Sequence, residues 1–247
     1  MSVMQATGLE EAIARAIAAL DFERVRKEYW DQNECIYLKG FLPQAVVEQY
    51  FVPQVENLKP KLNRNYIPGH KKGGSVSYFT VREQAKEFLT LYRSPAFLGF
   101  LTRLTGAPLQ LCPEADPHSC ALYYYTEPGD HIGFHYDTSY YKGARYTILV
   151  GLVDRSPSCK LVCQLYKDHP SKPMKELSLS TAPGDVLIFN GDKLWHAVTP
   201  LGENEERTVL TMEYVTDPGM NPCKRLYSNL KDSFAYFGLK AVFRGKS

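Results

Sequence analysis

Apolar positions recur at helical spacing in the first part of the chain and at strand spacing in the second. Leu9, Ile13, Ala16, Ile17 and Leu20 fall three or four residues apart, the period of one helix face. Thr7 and Glu10 have the form of a capping box, so the spacing predicts that this helix starts there. The run CIYLKG from Cys35 reads as a short strand, and Pro43 sits where a further helix would begin. Residues 61–77, KLNRNYIPGHKKGGSVS, show no periodicity and contain Gly73-Gly74, which predicts a mobile loop. Two helices are predicted next, over about 82–92 and 95–105.

From residue 108 the pattern changes. LQLCP, CALYYYT, HIGFHY, RYTILVGLV, KLVCQLY, KELSLS, DVLIFN, LWHAV and RTVLTMEYV are short and rich in β-branched and aromatic residues. Gly, Pro, Asp or Ser clusters separate most of them, the punctuation of a sandwich or barrel. A last helix is predicted over 228–242, with Leu230, Phe234, Phe237 and Ala241 on one face. The expected fold class is mainly β with flanking helices (α+β). The expected organisation is one domain over residues 1–247: helical support and a lid loop over 1–107, a β core over 108–216 and a C-terminal helix over 217–247.

Composition narrows the picture. The 247 residues are 44% hydrophobic and 23% charged, ordinary values for a globular protein. The formal net charge of +2 is spread evenly, without the basic stripe that nucleic acid would require. The longest apolar run, YTILVGLV, is far short of a membrane span. Glu10, Glu11, Asp21 and Glu23 occupy the region where a secretory signal would be basic and apolar, so a cytoplasmic protein is expected. Cys35, Cys112, Cys120, Cys159, Cys163 and Cys223 include no CxxC and no zinc-finger spacing, which predicts reduced structural thiols.

The candidate chemistry starts from HIGFHYD at 131–137. His135 and Asp137 are two apart on a strand and so point to the same side. Downstream, PGDVLIFNGDKLWH at 183–196 turns, runs as a buried strand, turns again and returns with Trp195 and His196. In an antiparallel barrel the returning strand can bring His196 beside His135. Two imidazoles and one carboxylate make the facial triad of non-haem Fe(II), which leaves coordination positions open. Arg207, at the start of RTVLTMEYV, can grip a carboxylate with two parallel hydrogen bonds.

This order of His135-x-Asp137, distal His196 and Arg207, with PGDVLIF before the second histidine, resembles the Fe(II)/2-oxoglutarate-dependent dioxygenases. The resemblance covers about residues 120–215, with the order of motifs found in prolyl hydroxylases. It implies a double-stranded β-helix (a jelly roll, cupin-like) buttressed by N-terminal helices. It implies Fe(II) on His135, Asp137 and His196, and 2-oxoglutarate held at its distal carboxylate by Arg207. It also implies O2 as oxidant, ascorbate as reductant, and succinate and CO2 as products. Halogenating relatives lack the iron-binding carboxylate, so Asp137 argues for hydroxylation, with desaturation or ring closure as variants. Some relatives carry Ser two positions after the arginine. Here Val209 stands there, and Tyr124, Thr126 and Thr211 are the candidates for a second contact to 2-oxoglutarate.

The expected substrate is a small polar molecule, most simply a free amino acid or an amino-acid-derived biosynthetic intermediate. Arg145 would meet its carboxylate, the loop with His70, Lys71 and Lys72 would close over it, and His131 and Tyr136 would face it. Gly133 is expected between His131 and His135 on the inward face, or else in a strand bulge. His118 and His169 lie in turn-rich segments and are expected to face solvent, as is His70 if the loop stays open. The alternatives are a protein or peptidyl hydroxylase and a non-catalytic cupin-like binding module. The sequence does not speak to oligomeric state.

Overall fold

The structure is a computed structural model, and it describes residues 3–220; the helix expected over 228–242 lies outside the described residues. The chain opens with α1 (Val3–Ala18) and α2 (Phe22–Asp31). Met4, Gln5 and Ala6 are themselves good helix formers, so α1 starts before Thr7, which becomes an interior position instead of a cap. Asp21 caps α2 by accepting a hydrogen bond from the Arg24 amide. Only Val25 and Tyr29 of α2 are buried, too few apolar positions for periodicity to reveal it.

After β1 (Cys35–Leu38), helix α3 (Gln44–Val46) follows Pro43 and passes through a π-helical turn (Val47–Phe51) into α4 (Val52–Leu58). The widened turn precedes Pro53, which has no N–H to give and whose ring would crowd an α-helical carbonyl four residues back. A short 3-10 turn, Lys59–Lys61, ends the helical stretch.

The segment expected to be a mobile loop is a β-hairpin, β2 (Asn63–Ile67) and β3 (Lys71–Val76). Its glycines serve close packing: a Cβ on Gly74 would lie 2.9 Å from Leu62 Cδ1. β3 is also hydrogen-bonded to strands on both sides of it, which no mobile loop could be. Helices α5 (Tyr78–Gln84), α6 (Lys86–Arg93) and α7 (Pro95–Thr105) come next, so the helix expected over 82–92 is two helices broken at Ala85.

All nine segments predicted as strands beyond residue 108 form strands: β4 (Gln110–Leu111), β5 (Cys120–Tyr125), β6 (His131–His135), β7 (Arg145–Arg155), β8 (Leu161–Leu165), β9 (Lys175–Leu179), β10 (Val186–Asn190), β11 (Trp195–Val198) and β12 (Glu206–Val215). The antiparallel sheet runs β1-β10-β7-β12-β5-β3-β6-β11-β8-β9 and curls on itself. One wall is β10-β7-β12-β5 and the facing wall is β6-β11-β8-β9, with β3 bridging them. This is a jelly roll of the double-stranded β-helix kind, with helices covering the first wall.

Alternation along β7 and β12 sorts the core into two. Ile148, Val150, Leu152, Leu210, Met212 and Tyr214 pack toward the helices, beside Phe51, Phe88 and Phe97. Leu149 and Val209 face the barrel interior with Leu161, Cys163, Leu187 and Phe189. Both faces of these strands are buried, which is why they read as nearly continuous apolar runs. Cys35, Cys112, Cys120, Cys159 and Cys163 are free and buried. Among the described residues no helix is long and apolar enough to cross a membrane.

Candidate metal centre

β11 lies antiparallel to β6 with His196 directly opposite His135. The two rings are 4.3 Å apart. Asp137, just past the end of β6, completes a group whose candidate ligand atoms all lie within 4.8 Å of one another. Nε2 of His135 is 3.5 Å from Asp137 Oδ1, and Nε2 of His196 is 3.9 Å from Oδ2. Each Nδ1–H donates to a backbone carbonyl, that of Gly133 at 2.8 Å and that of Leu194 at 3.1 Å. These bonds select the tautomer and leave both Nε2 atoms for a shared ion. The turn between β10 and β11 presses against Asp137: a Cβ on Gly191 would sit 2.6 Å from its carbonyl oxygen. Glycine is needed there for the close approach.

The charges are tuned for ligation. Burial pulls the His196 imidazole down to about 4 against the pull of Asp137, so it is neutral at neutral pH. Burial would also lower His135, but the hydrogen bond and charge of Asp137 outweigh it and hold its pKa above the ordinary value. Burial alone would raise the Asp137 carboxyl; His196, His135 and Arg145 together hold it far below the usual range. Below its raised pKa His135 carries a proton that a metal would have to displace. As pH falls through the raised His135 pKa, metal affinity is expected to drop by about tenfold per pH unit. Calorimetric titration in buffers of different ionisation heat checks this, and release of one proton per metal below that pKa is the expected result.

Arg207 on β12 is fully buried. Its Nε donates to Thr181 Oγ1 at 3.0 Å, and its guanidinium lies 5.1 Å from the Tyr125 ring centre. Its Nη1 and Nη2 have no hydrogen-bond partner among the described residues. A buried guanidinium with both terminal nitrogens unsatisfied is costly, and an oxyanion is the group that would complete it. Arg207 lines one cavity of about 270 Å³ together with His135, Asp137 and His196.

Of the other residues singled out in the sequence, His70, Tyr136, Arg145 and Thr211 also line that cavity. Tyr124 is turned to the opposite face of β5, where its hydroxyl donates to the Val55 carbonyl at 2.9 Å within the helix-side core. Its neighbours Tyr123 and Tyr125 face the cavity instead. Thr126 stands past the end of β5, its amide bonded to Asp130. Lys72 donates to the Pro128 carbonyl at 2.8 Å, and Lys71 is buried over the Tyr123 ring.

His131 is not brought to the cavity, because β6 carries a bulge. His135 faces His196 but Ile132 faces Val198, two intervening residues against one. The extra residue reverses the alternation, so Ile132 lines the cavity and His131 turns away, its Nδ1 on the Gly129 carbonyl. Gly133 lies in this bulge. A Cβ there would meet the His70 carbonyl oxygen at 3.2 Å, so the glycine admits the β2–β3 turn, and of the two expectations for it the bulge holds.

The sequence reading missed several cavity residues. His118 is buried, not solvated, with Nδ1 3.0 Å from the Tyr123 hydroxyl. Asp116 accepts from the His118 amide and from the Tyr141 hydroxyl. Glu213 accepts from Arg145 Nε at 2.8 Å, and burial pushes its carboxyl up to about 7 against the charge of that arginine. Glu213 shares strand parity with Arg207, a signal the sequence did hold. Asp116 and His118 sit in an irregular segment, where no period could have pointed to them.

No family model matches this chain, and no curated protein does. Solved structures share its fold. The epimerase SnoN, in complex with Fe3+, alpha ketoglutarate and nogalamycin RO, aligns over 78% of this chain and 83% of its own at 16% identity and a TM-score of 0.63. The alpha ketoglutarate dependent carbocyclase SnoK from nogalamycin biosynthesis aligns over 82% and 88% at 15% identity and a TM-score of 0.62. A prolyl hydroxylase from Trichoplax adhaerens, in complex with a hypoxia inducible factor peptide fragment, aligns over 92% and 97% at 15% identity and a TM-score of 0.60. The fold is thus the one used by Fe(II)/2-oxoglutarate-dependent oxygenases.

Proposed function

We propose that this single domain is an Fe(II)- and 2-oxoglutarate-dependent oxygenase that hydroxylates a small polar metabolite. The observation that carries the reading is the unsatisfied Arg207 fork, buried in the same cavity as His135, Asp137 and His196. The three ligands suit Fe(II) by type and by leaving positions open. The fork suits the distal carboxylate of 2-oxoglutarate. With iron and 2-oxoglutarate held there, O2 would supply oxidative decarboxylation to succinate and CO2 coupled to hydroxylation of a substrate C–H, and ascorbate would serve to keep the iron reduced.

The chain's own residues do the positioning. His196 stays neutral through burial, as a ligand must. Tyr125 and Thr181 flank Arg207 and hold its plane. Thr211 lies two inward positions further along β12, nearer the metal end. Leu149, Leu161, Val198 and Val209 wall the cavity and keep water from it.

The substrate class we infer is a free amino acid or an amino-acid-derived biosynthetic intermediate. Arg145 lines the cavity with its Nε on Glu213, and we assign its guanidinium to a substrate carboxylate. His70 and Tyr136 stand at the same cavity. A peptide substrate would need a long open groove, and a cavity of about 270 Å³ favours a small molecule.

A screen of amino acids for stimulated succinate formation, with Fe(II), 2-oxoglutarate and ascorbate, tests the reading. Stimulation by at least one is expected. Turnover of 2-oxoglutarate that no amino acid stimulates would overturn the substrate class. No metal-dependent turnover under any condition would leave the non-catalytic module.

A further inference from the structure

Behind the metal ligands runs a buried chain of polar contacts. Arg145 Nε donates to Glu213 Oε2 at 2.8 Å. Thr147 Oγ1 lies 3.0 Å from that same oxygen and 2.8 Å from Asp137 Oδ2. Thr147 is 1% exposed, and the Glu213 side chain 3%, so water does not compete for these bonds. A hydroxyl has one proton to give. The contact to Asp137 is the shorter of the two, so we assign the Thr147 proton to Asp137.

We infer that Thr147, backed by Glu213, is a positioning residue that fixes the rotation of the Asp137 carboxylate, so that it does not turn to take a second position on a bound metal. The inference rests on the metal-centre reading above. A carboxylate beside a divalent ion can turn and bind through both oxygens, which would occupy a position that the keto acid or O2 needs. In this chain Oδ1 lies 3.5 Å from His135 Nε2 and Oδ2 3.9 Å from His196 Nε2, and the 2.8 Å tie to Thr147 holds the carboxylate in that setting. Glu213 packs against Thr147 from the far side, and Arg145 holds Glu213 there. The carboxylate is therefore oriented before any ion arrives, which raises affinity.

The test uses Co(II) bound to the full chain in place of iron, read by affinity and by the d–d absorption, whose intensity follows coordination number. Thr147→Val keeps the branched shape and removes the hydroxyl. It is expected to weaken Co(II) binding roughly 10–100-fold and to alter the d–d spectrum. Thr147→Ser keeps the hydroxyl and is expected to restore both. Thr147→Ala reads the same loss should the valine variant not fold, with circular dichroism and thermal melting as the folding check. A Thr147→Val protein that melts lower but binds Co(II) with wild-type affinity and spectrum would overturn the inference, since Thr147 would then only satisfy Glu213. Wild-type protein that binds no Co(II) would instead overturn the metal-centre reading itself.

Discussion

His196→Ala abolishes metal-dependent turnover of 2-oxoglutarate: this is the largest effect the structure predicts. The substitution removes one of the three proposed ligands, and the remaining two, His135 and Asp137, adjoin each other on one strand end. Loss of a direct ligand should exceed the roughly 10–100-fold loss of metal affinity that follows removal of an outer partner. The cleanest measurement is thermal melting with and without a divalent metal. Wild-type protein at about 100 times the dissociation constant gains about 2.7 kcal/mol from binding, and its melting temperature rises accordingly. The variant should show no metal-dependent rise. An equal rise in both proteins would mean that His196 is not a ligand.

Arg207→Leu separates the metal from the cosubstrate. The arginine does not touch the three ligands, so Co(II) affinity should stay at the wild-type level. Its two unsatisfied terminal nitrogens are the groups that 2-oxoglutarate would complete. Truncating one partner of a buried charged pair costs about 2–5 kcal/mol, which is roughly 30- to several-thousand-fold in affinity. The Michaelis constant for 2-oxoglutarate should rise by that order. Stability should move the other way or not at all, because the substitution removes a buried guanidinium whose two terminal nitrogens have no partner among the described residues. Asp154, opposite Arg207 in the β7–β12 register, keeps the favourable charge of Lys160 nearby. A variant that melts at or above the wild-type temperature, yet no longer binds 2-oxoglutarate, is the expected outcome. Unchanged 2-oxoglutarate affinity would remove Arg207 from the site.

The sequence went furthest where burial is repetitive. β7 and β12 are buried on both faces, so their apolar runs were legible without knowing their neighbours. The pairing of His135 with Asp137 was legible too, because residues two apart share a side of a strand. The convergence of His196 followed from a turn, a strand and a second turn between Pro183 and His196. In each case one short segment carries the information.

Elsewhere the outcome depended on partners distant in the chain. Residues 63–76 look like a loop alone, and become a hairpin because β5 and β6 take up the hydrogen bonds of β3. His131 has the right parity but the wrong face, because pairing with β11 forces an extra residue into β6. Tyr124 and Tyr125 are indistinguishable as letters, and only the register of β5 against β12 decides which one reaches the helix-side core. Glu213 meets Arg145 because β7 and β12 lie side by side. What the sequence by itself determined was the set of strands and the identity of the candidate ligands, since spacing and composition are local properties. The direction each side chain takes, and so which groups surround the candidate centre, was decided by tertiary structure, because a strand's facing is set by the partner it pairs with and shifts with every bulge.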